Sequence, residues 1–241
     1  MDYMAGKFVV LDGPDGSGKS TQFEKLSRFL SSHDLEVCEV REPGGTKIGE
    51  LLRDILLDRA HENMDLRCEM LLYMASRAQL VRERIRPALK RNAVVLADRF
   101  VSSTIAYQGY AGGMSLNQID AVTRVAIGHT KPDLYLILDV DEDTASQRMH
   151  GKVKPRKYDQ CALAQSSLFA DRMELLGLEF QRKVRDGYRN QALEQPDTYN
   201  IIDASGNELN VFKFIIESLR RKFGTTLDNS TTLPKLIEEL G

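Results

Sequence analysis

The segment VVLDGPDGSGKSTQ, residues 9–22, constrains the fold more than any other part of the chain. An apolar run enters a glycine-rich turn, which is followed by Lys19, two hydroxyl side chains and a helical pattern. Residues 13–20 match G-x-x-x-x-G-K-[ST], in which backbone N–H groups and the start of the next helix surround phosphate oxygens. The segment therefore predicts a strand, a phosphate-binding loop and a helix.

The loop also predicts how a nucleoside triphosphate and its metal are held. Lys19 is expected to reach the β- and γ-phosphates, and Ser20 is expected to ligate Mg²⁺. ATP contacts are expected from the whole loop, which comprises Gly13, Pro14, Asp15, Gly16, Ser17, Gly18, Lys19, Ser20 and Thr21.

Five short runs rich in Val, Ile and Leu predict strands, at residues 7–13, 36–43, 93–100, 134–140 and 199–204. Such nearly continuous apolar runs are typical of parallel strands buried on both faces. Helical patterns alternate with them, which predicts an α/β fold of the P-loop NTPase type, a doubly wound parallel five-stranded sheet with helices on both faces. We assign this domain to residues 1–224 and treat residues 225–241 as a C-terminal tail with a short helix.

Capping residues and apolar stripes predict the positions of several helices. Asp65 is expected to cap a long helix that ends near Arg91, and Pro87 should kink or shorten it. Ser115 is expected to open a helix that Gly128 closes. Further helices are expected from an apolar stripe within residues 48–56 and from the patterns at residues 171–193 and 209–219.

Composition and charge narrow the class of protein. A net charge of −2 gives no basic excess that would suggest nucleic-acid binding. The three cysteines are scattered, and the four histidines have no metal-ligand spacing, so neither a disulfide framework nor a zinc site is expected. No stretch approaches the roughly 18 apolar residues of a membrane helix, and the N-terminus has no signal-peptide pattern. We expect a cytoplasmic protein without nucleic-acid or membrane partners.

Asp15 is an acid inside a loop that binds anions. A like-charge pair about 5 Å apart costs about 3 kcal/mol at an effective dielectric near 20. Asp15 could point to water, or it could accept a hydrogen bond from a sugar hydroxyl and help to hold Mg²⁺ through water. Because Gly16 adds no cation, the charges needed around a transferred phosphoryl group must come from elsewhere.

A basic segment could supply those cations. Residues 148–172 read as a mobile lid, with Arg148, Lys152, Lys154, Arg156 and Lys157 close together. The cluster could be a solvated face, or lid closure could bring Arg148 or Arg156 to the γ-phosphate and exclude water. Arg172, at the start of the returning helix, is a further candidate.

Several blocks of residues 7–219 resemble the thymidylate kinases, specifically the bacterial type with a lid-borne arginine. The matching blocks are LDGPDGSGKST, REPGGTKIGELLR, EMLLYMASRAQLV, LADRFVSSTIAYQG and, more weakly, RMHG…ADRMELLG. The EPGGT and AYQG blocks are more specific than the phosphate loop. The resemblance implies the reaction ATP + dTMP ⇌ ADP + dTDP and a homodimer, with the helix at residues 65–91 as a plausible interface.

Tyr73 and Arg77 lie four residues apart, on one face of a helix. An aromatic ring can stack on a pyrimidine, and Arg77 can donate to a carbonyl such as thymine O4, where cytosine carries an amino group. From the sequence alone, Tyr73 could equally be a core residue and Arg77 a surface residue. The resemblance favours base binding and places Gln108 near the base, where Thr104 could also face it.

Asp98 and Arg99 end the third predicted strand, the edge at which open α/β sheets bind ligands. Asp98 could hold Mg²⁺ through water, or the two could form a structural ion pair. The resemblance implies that Arg99 and Arg53 clamp the acceptor phosphate and that Tyr107 blocks a 2′-hydroxyl. It also implies that Asp15 binds the 3′-hydroxyl of the acceptor.

The expected nucleophile, a phosphate oxygen with a second pKa near 6, is already ionised at neutral pH, so no general base is needed. Catalysis would consist mostly of positioning the two substrates and neutralising the negative charge of the phosphates. Three alternatives stay open: another nucleoside monophosphate kinase, a deoxynucleoside kinase with Asp15 or Glu42 as base, and a non-catalytic nucleotide switch. The switch would need no second nucleotide pocket.

Overall fold

A computed structural model describes residues 2–150 and 177–224 of the chain. Within these residues, five strands form one parallel sheet in the order β2-β3-β1-β4-β5. The strands are β1 (Phe8–Asp12), β2 (Val37–Arg41), β3 (Val94–Asp98), β4 (Leu134–Asp139) and β5 (Tyr199–Asp203). All five predicted strands and the doubly wound parallel sheet are therefore confirmed.

Nine α-helices flank the sheet in the described part of the chain. They are α1 (Lys19–Ser31), α2 (Lys47–Leu57), α3 (Leu66–Leu80), α4 (Arg86–Lys90), α5 (Val101–Thr104), α6 (Leu116–Ile127), α7 (Glu142–His150), α8 (Leu178–Glu194) and α9 (Glu208–Phe223). Two π-helical turns, Val81–Ile85 and Ile105–Ala111, join α3 to α4 and extend α5. Short 3₁₀ turns occur at Asp2–Met4 and Arg59–His61.

Alternate residues of the sheet enter two separate cores, which explains the continuous apolar runs. Phe8 and Val10 pack with residues of α4 and α8 on one side. Val9 and Leu11 pack with residues of α1 and α9 on the other. Every residue of β1 is buried, so the strand that leads into the phosphate loop is fixed from both faces.

The helix boundaries largely follow the predicted capping residues. Asp65 accepts hydrogen bonds from the backbone N–H groups of Arg67 and Cys68 at the start of α3. The predicted interruption by Pro87 takes the form of the π-helical turn before α4, and Pro87 lies in the first turn of α4, where its missing N–H costs little. Helix α6 begins after Ser115 and ends at Gly128, whose φ of 57° favours glycine.

Some predictions fall wholly or partly outside the described residues. The lid proposed for residues 148–172 falls there except for its first residues, and Arg156 and Arg172 lie beyond the described ranges. The C-terminal tail at residues 225–241 lies outside them as well. Of the helix predicted at residues 171–193, the structure describes the part from Leu178 onwards.

No helix within residues 2–150 and 177–224 has the length and apolar character needed to cross a bilayer. The same residues hold no group of three or more His, Cys, Asp or Glu side chains that could bind a metal ion.

Candidate active site

The phosphate loop lies at the carboxyl edge of the sheet, between β1 and α1. Gly13, Gly16 and Gly18 have φ angles of 138°, 79° and 92°. A Cβ atom at Gly13 would lie 2.4 Å from the carbonyl oxygen of Leu138, and one at Gly16 would lie 2.4 Å from that of Ala145. The loop is therefore packed tightly against β4 and α7, and side chains at these two glycines would displace it.

Lys19, the first residue of α1, is buried within this loop. Its Nζ donates to the carbonyl oxygens of Gly13 and Pro14, at 2.9 and 2.8 Å, and lies 3.6 Å from Oδ1 of Asp15. Burial and the neighbouring positive charge of Arg99 lower the pKa of Lys19 to about 8. The ammonium group is therefore held where phosphate oxygens are expected, in an environment that a bound anion would improve.

Asp15 is held by a cation and a phenol. Arg99 donates to its Oδ1, and the hydroxyl of Tyr107 donates to its Oδ2 at 3.1 Å. The side chain of Asp15 is 20% exposed, so it does not simply point to water. The positive charge of Arg99 offsets the negative charge that made an acid in this loop surprising.

Asp12, which the sequence reasoning missed, anchors the same cluster. Its fully buried carboxylate accepts hydrogen bonds from Ser102, from Ser103 at 2.8 Å and from Tyr188 at 2.7 Å. Nη1 of Arg99 donates to it at 3.2 Å. The available signal was a charged residue at the end of an otherwise apolar strand, directly before the glycine-rich loop.

Arg99 is fixed in direction by these acids and by its backbone, which has a φ of 69°. Burial alone would lower the pKa of Arg99, but the surrounding Asp15, Tyr107, Tyr188 and Asp12 raise it well above the ordinary value. Within the described residues it pairs with Asp12 and Asp15, and the ion pair with Asp98 considered from the sequence does not form.

Arg77 lies in the interior, 1% exposed, so the surface position that the sequence allowed is wrong. Its Nε and Nη2 donate to the carboxylate of Glu42, with Nε–Oε2 at 2.8 Å. Its Nη1 donates to Oγ1 of Thr104 at 3.1 Å and to Sδ of Met74 at 3.2 Å. Burial raises the pKa of Glu42, and Arg77 opposes that shift.

Tyr73 and Gln108 lie next to the buried cluster around Arg77, on α3 and on the second π-helical turn. Tyr73 is half-buried one helical turn before Arg77, and it is not part of the core. Gln108 is buried, and its Nε2 donates to Oε1 of Glu69 at 2.7 Å. Glu69 was not singled out from the sequence, although it lies one turn before Tyr73 on the same face of α3. Contacts between the π-helical turn and α3 thus connect the phosphate loop to the predicted base pocket.

Asp98 ends β3 close to the phosphate loop. Its Oδ1 is buried and has no hydrogen-bond partner among the described residues, and its charge raises the pKa of nearby Lys19. Arg53 donates from Nη1 to the carbonyl oxygen of Pro43, at 2.9 Å, in the EPGGT segment. Asp98 therefore lies beside the phosphate loop, and Arg53 lies beside the loop that carries Glu42.

Arg148 lies on α7, whose Ala145 contacts the phosphate loop at Gly16. Its guanidinium donates to the carbonyl oxygens of Ala204, Ser205 and Gly206 at 2.8, 3.2 and 3.4 Å. In this structure, therefore, Arg148 fastens α7 to the segment between β5 and α9.

A second arginine cluster holds α8 against β4. Arg185 donates to both carboxylate oxygens of Asp139, at 2.7 and 3.0 Å, and Arg189 donates to one of them at 2.7 Å. The sequence analysis did not single out these residues. They fix the helix that carries Tyr188 next to Asp12.

A phosphate loop beside a buried cluster of polar side chains, at the carboxyl edge of a five-stranded parallel sheet, is the arrangement expected of a P-loop nucleoside monophosphate kinase. The family model described as "Thymidylate kinase" matches residues 11–215. The chain belongs to the thymidylate kinase family, and it is an ATP-dependent kinase that phosphorylates dTMP.

Individual relatives agree with this assignment. The chain is 43% identical over 205 residues to the thymidylate kinase of Pelotomaculum thermopropionicum, covering 85% of this chain and 88% of that protein. It is 38% identical over 217 residues to the thymidylate kinase of Caldanaerobacter subterraneus subsp. tengcongensis, covering 90% and 96%. A crystal structure of thymidylate kinase from Ehrlichia chaffeensis matches with a TM-score of 0.68 and 29% identity, covering 88% and 98% of the two chains.

Proposed function

We propose that this site transfers the γ-phosphoryl group of ATP to dTMP, giving ADP and dTDP, with the phosphate loop as donor site and the Tyr73–Arg77 pocket as acceptor site. The observation that carries this proposal is the continuous set of contacts between the two. Asp15 of the loop bonds to Tyr107, and the next residue, Gln108, bonds to α3. Two nucleotides bound at these places would meet near Arg99.

The donor half is built to stabilise negative charge. Lys19 and the backbone N–H groups of the loop bind the β- and γ-phosphates, and the start of α1 adds its positive dipole end. The desolvated ammonium of Lys19 interacts with developing charge more strongly than it would in water.

The acceptor half orients dTMP for in-line attack. Arg99 and Arg53 bind its phosphate, Asp15 accepts a hydrogen bond from the 3′-hydroxyl, and the ring of Tyr107 excludes a 2′-hydroxyl. Tyr73 stacks on the base, and Thr104 lines the pocket beside Arg77. The attacking phosphate oxygen is already ionised, so these residues act by positioning and charge neutralisation.

The residues present fit Mg²⁺. Asp98 brings a buried carboxylate oxygen that has no hydrogen-bond partner among the described residues, and Ser20 brings a hydroxyl at the start of α1. Oxygen ligands of this kind suit a hard cation. When bound, Mg²⁺ neutralises phosphate charge; Ser20 would hold it directly, and Asp98 through water.

We further propose that basic residues at and beyond the end of α7 neutralise the transferred phosphoryl group. Arg148 must release the carbonyl oxygens of residues 204–206 before it can reach the γ-phosphate. Arg156 and Arg172 lie outside the described residues. The catalytic cation is identified by making three separate variants, Arg148→Ala, Arg156→Ala and Arg172→Ala. The variant that lowers kcat without raising the KM for dTMP has lost the cation that acts on the γ-phosphate.

The proposed assembly is a homodimer that buries the outer faces of α2 and α3. The apolar stripe predicted on α2 does not face the core: Ile48, Leu51 and Ile55 are 51%, 66% and 41% exposed. Leu71 on the adjacent α3 is 51% exposed. A second copy covering this face would remove an apolar patch from water. We place the enzyme in the cytoplasm, in agreement with the free thiols of Cys38 and Cys68.

A coupled assay of ADP release tests the proposed reaction. ATP and Mg²⁺ are supplied with dTMP, dUMP, dCMP, AMP or thymidine, and Lys19→Ala is the inactive control. We expect the highest kcat/KM with dTMP and negligible turnover with thymidine. Turnover highest with thymidine would instead indicate a deoxynucleoside kinase, and turnover with none of these acceptors would contradict the proposal.

A further inference from the structure

We propose that Glu69 is a positioning residue that makes the enzyme read thymine and reject cytosine, because it fixes the direction of the Gln108 amide. This inference rests on the proposed function, since it assumes that the base binds beside Tyr73 and Arg77. It assigns a role to a buried carboxylate that neither phosphate binding nor catalysis uses.

Glu69 occupies a place from which it can act on the base pocket. It is 5% exposed and precedes Tyr73 by one helical turn and Arg77 by two, so the three residues follow one face of α3. Its Oε1 accepts from Nε2 of Gln108 at 2.7 Å. Gln108 is 2% exposed, and its backbone carbonyl oxygen accepts from the backbone N–H of Met114 at 2.9 Å, so the residue that carries the amide is held as well.

A carboxylate can only accept hydrogen bonds, so Glu69 determines which end of the amide faces it. The donor Nε2 must turn towards Glu69, and the acceptor Oε1 is the end left to meet a ligand. A half-turn of the amide would exchange donor and acceptor, and it would place Oε1 against the Glu69 carboxylate.

Thymine and cytosine differ in the hydrogen-bond donors and acceptors that they present to such a pocket. Thymine offers a carbonyl oxygen at C4 and an N–H donor at N3, whereas cytosine offers an amino donor at C4 and an acceptor at N3. Nη1 of Arg77 donates one hydrogen to Thr104 and the other to Sδ of Met74, a weak acceptor that the C4 carbonyl of thymine can replace. Oε1 of Gln108 is an acceptor suited to the N3 hydrogen. Cytosine would oppose donor to donor and acceptor to acceptor, which leaves buried groups unpaired.

The proposal is tested with Glu69→Gln, which keeps the shape of the side chain but can present either an acceptor or a donor to Gln108. The Gln108 amide can then turn, and its Nε2 can donate to N3 of cytosine. We expect the ratio of kcat/KM for dTMP to that for dCMP to fall about tenfold or more, mainly through KM, with the KM for ATP unchanged. Glu83→Gln, an exposed carboxylate in the first π-helical turn, is the matched control and should leave the ratio unchanged.

A double-mutant cycle distinguishes positioning from a general structural role. In a Gln108→Met background there is no amide to orient, so Glu69→Gln should not change the base ratio further. Loss of stability with an unchanged ratio would overturn the proposal, as would an equal effect of Glu69→Gln in both backgrounds. If Glu69→Gln does not fold, Glu69→Asp, one methylene shorter, should lower the ratio in the same direction; an unchanged ratio there overturns the proposal. Failure of the wild-type enzyme to phosphorylate dTMP would refute the proposed function instead.

Discussion

Replacing Glu42 with Ala should destabilise the protein strongly, because it leaves the Arg77 guanidinium buried without its counter-ion. The side chains of Arg77 and Glu42 are 1% and 4% exposed, and two nitrogens of Arg77 donate to the carboxylate. Breaking one side of such a pair costs about 3–5 kcal/mol. In a chain of this length, each kcal/mol lowers Tm by about 2–4 °C, so we expect a drop of roughly 6–20 °C.

The matched control removes both charges. Glu42→Leu combined with Arg77→Met leaves no unpaired buried charge and should recover most of the lost stability, because apolar replacements of buried ion pairs are often neutral or stabilising. Both proteins are compared by differential scanning calorimetry, and dTMP binding is measured by isothermal titration calorimetry. The double variant should be stable and yet bind dTMP poorly. A Glu42→Ala protein within about 2 °C of wild type, or a double variant no more stable than Glu42→Ala, would refute this reasoning.

Three further predictions concern the phosphate loop, the Asp12 cluster and the dimer. In the protein without ATP the pKa of Lys19 is about 8, and bound phosphate favours the charged form of this side chain. Above pH 8, ATP binding should therefore take up a proton, and the Kd for ATP should rise by up to about tenfold per pH unit. Calorimetric titrations in buffers of different ionisation enthalpy measure this uptake, and a pH-independent Kd between about pH 8 and 9.5 would contradict it. Tyr188→Phe removes a hydrogen-bond donor to Asp12 and a contact of Arg99. It should raise the KM for dTMP and leave the KM for ATP nearly unchanged. Equal changes in both KM values would count against a role of Tyr188 in placing Arg99. Leu51→Glu should convert the homodimer to monomer in sedimentation velocity, whereas Phe214→Glu on α9, also exposed, should not; a Leu51→Glu dimer would exclude this face.

Local chemistry made much of the fold predictable. The inner strands β1, β3 and β4 are buried on both faces and show continuous apolar runs in the sequence. The edge strands β2 and β5 are only partly buried, and their shorter apolar runs were found as well. Asp65, Ser115 and Gly128 marked helix ends because helix caps restrict residue type over a few positions. The two π-helical turns left no such local signal. The second packs against α6 and α8, and the first contacts β2, so their surroundings come from distant parts of the sequence.

The candidate site was predictable where a motif acts through its own backbone, as in the phosphate loop. Hydrogen-bonded pairs whose members lie far apart in the sequence were not predictable. Asp12 meets Tyr188 and Glu69 meets Gln108 only after the sheet and helices are assembled. The sequence also left open whether Arg77 is exposed, because its burial depends on Glu42, 35 residues earlier.

The central claim is that two nucleotides bind end to end, one in the phosphate loop and one in the pocket of Tyr73 and Arg77. A crystal structure with dTMP, Mg²⁺ and a non-hydrolysable ATP analogue tests it most directly. The account predicts the thymine ring on Tyr73 with O4 near Nη1 of Arg77, and the dTMP phosphate at Arg99. A thymine ring bound elsewhere, or a dTMP phosphate away from Arg99, would contradict it.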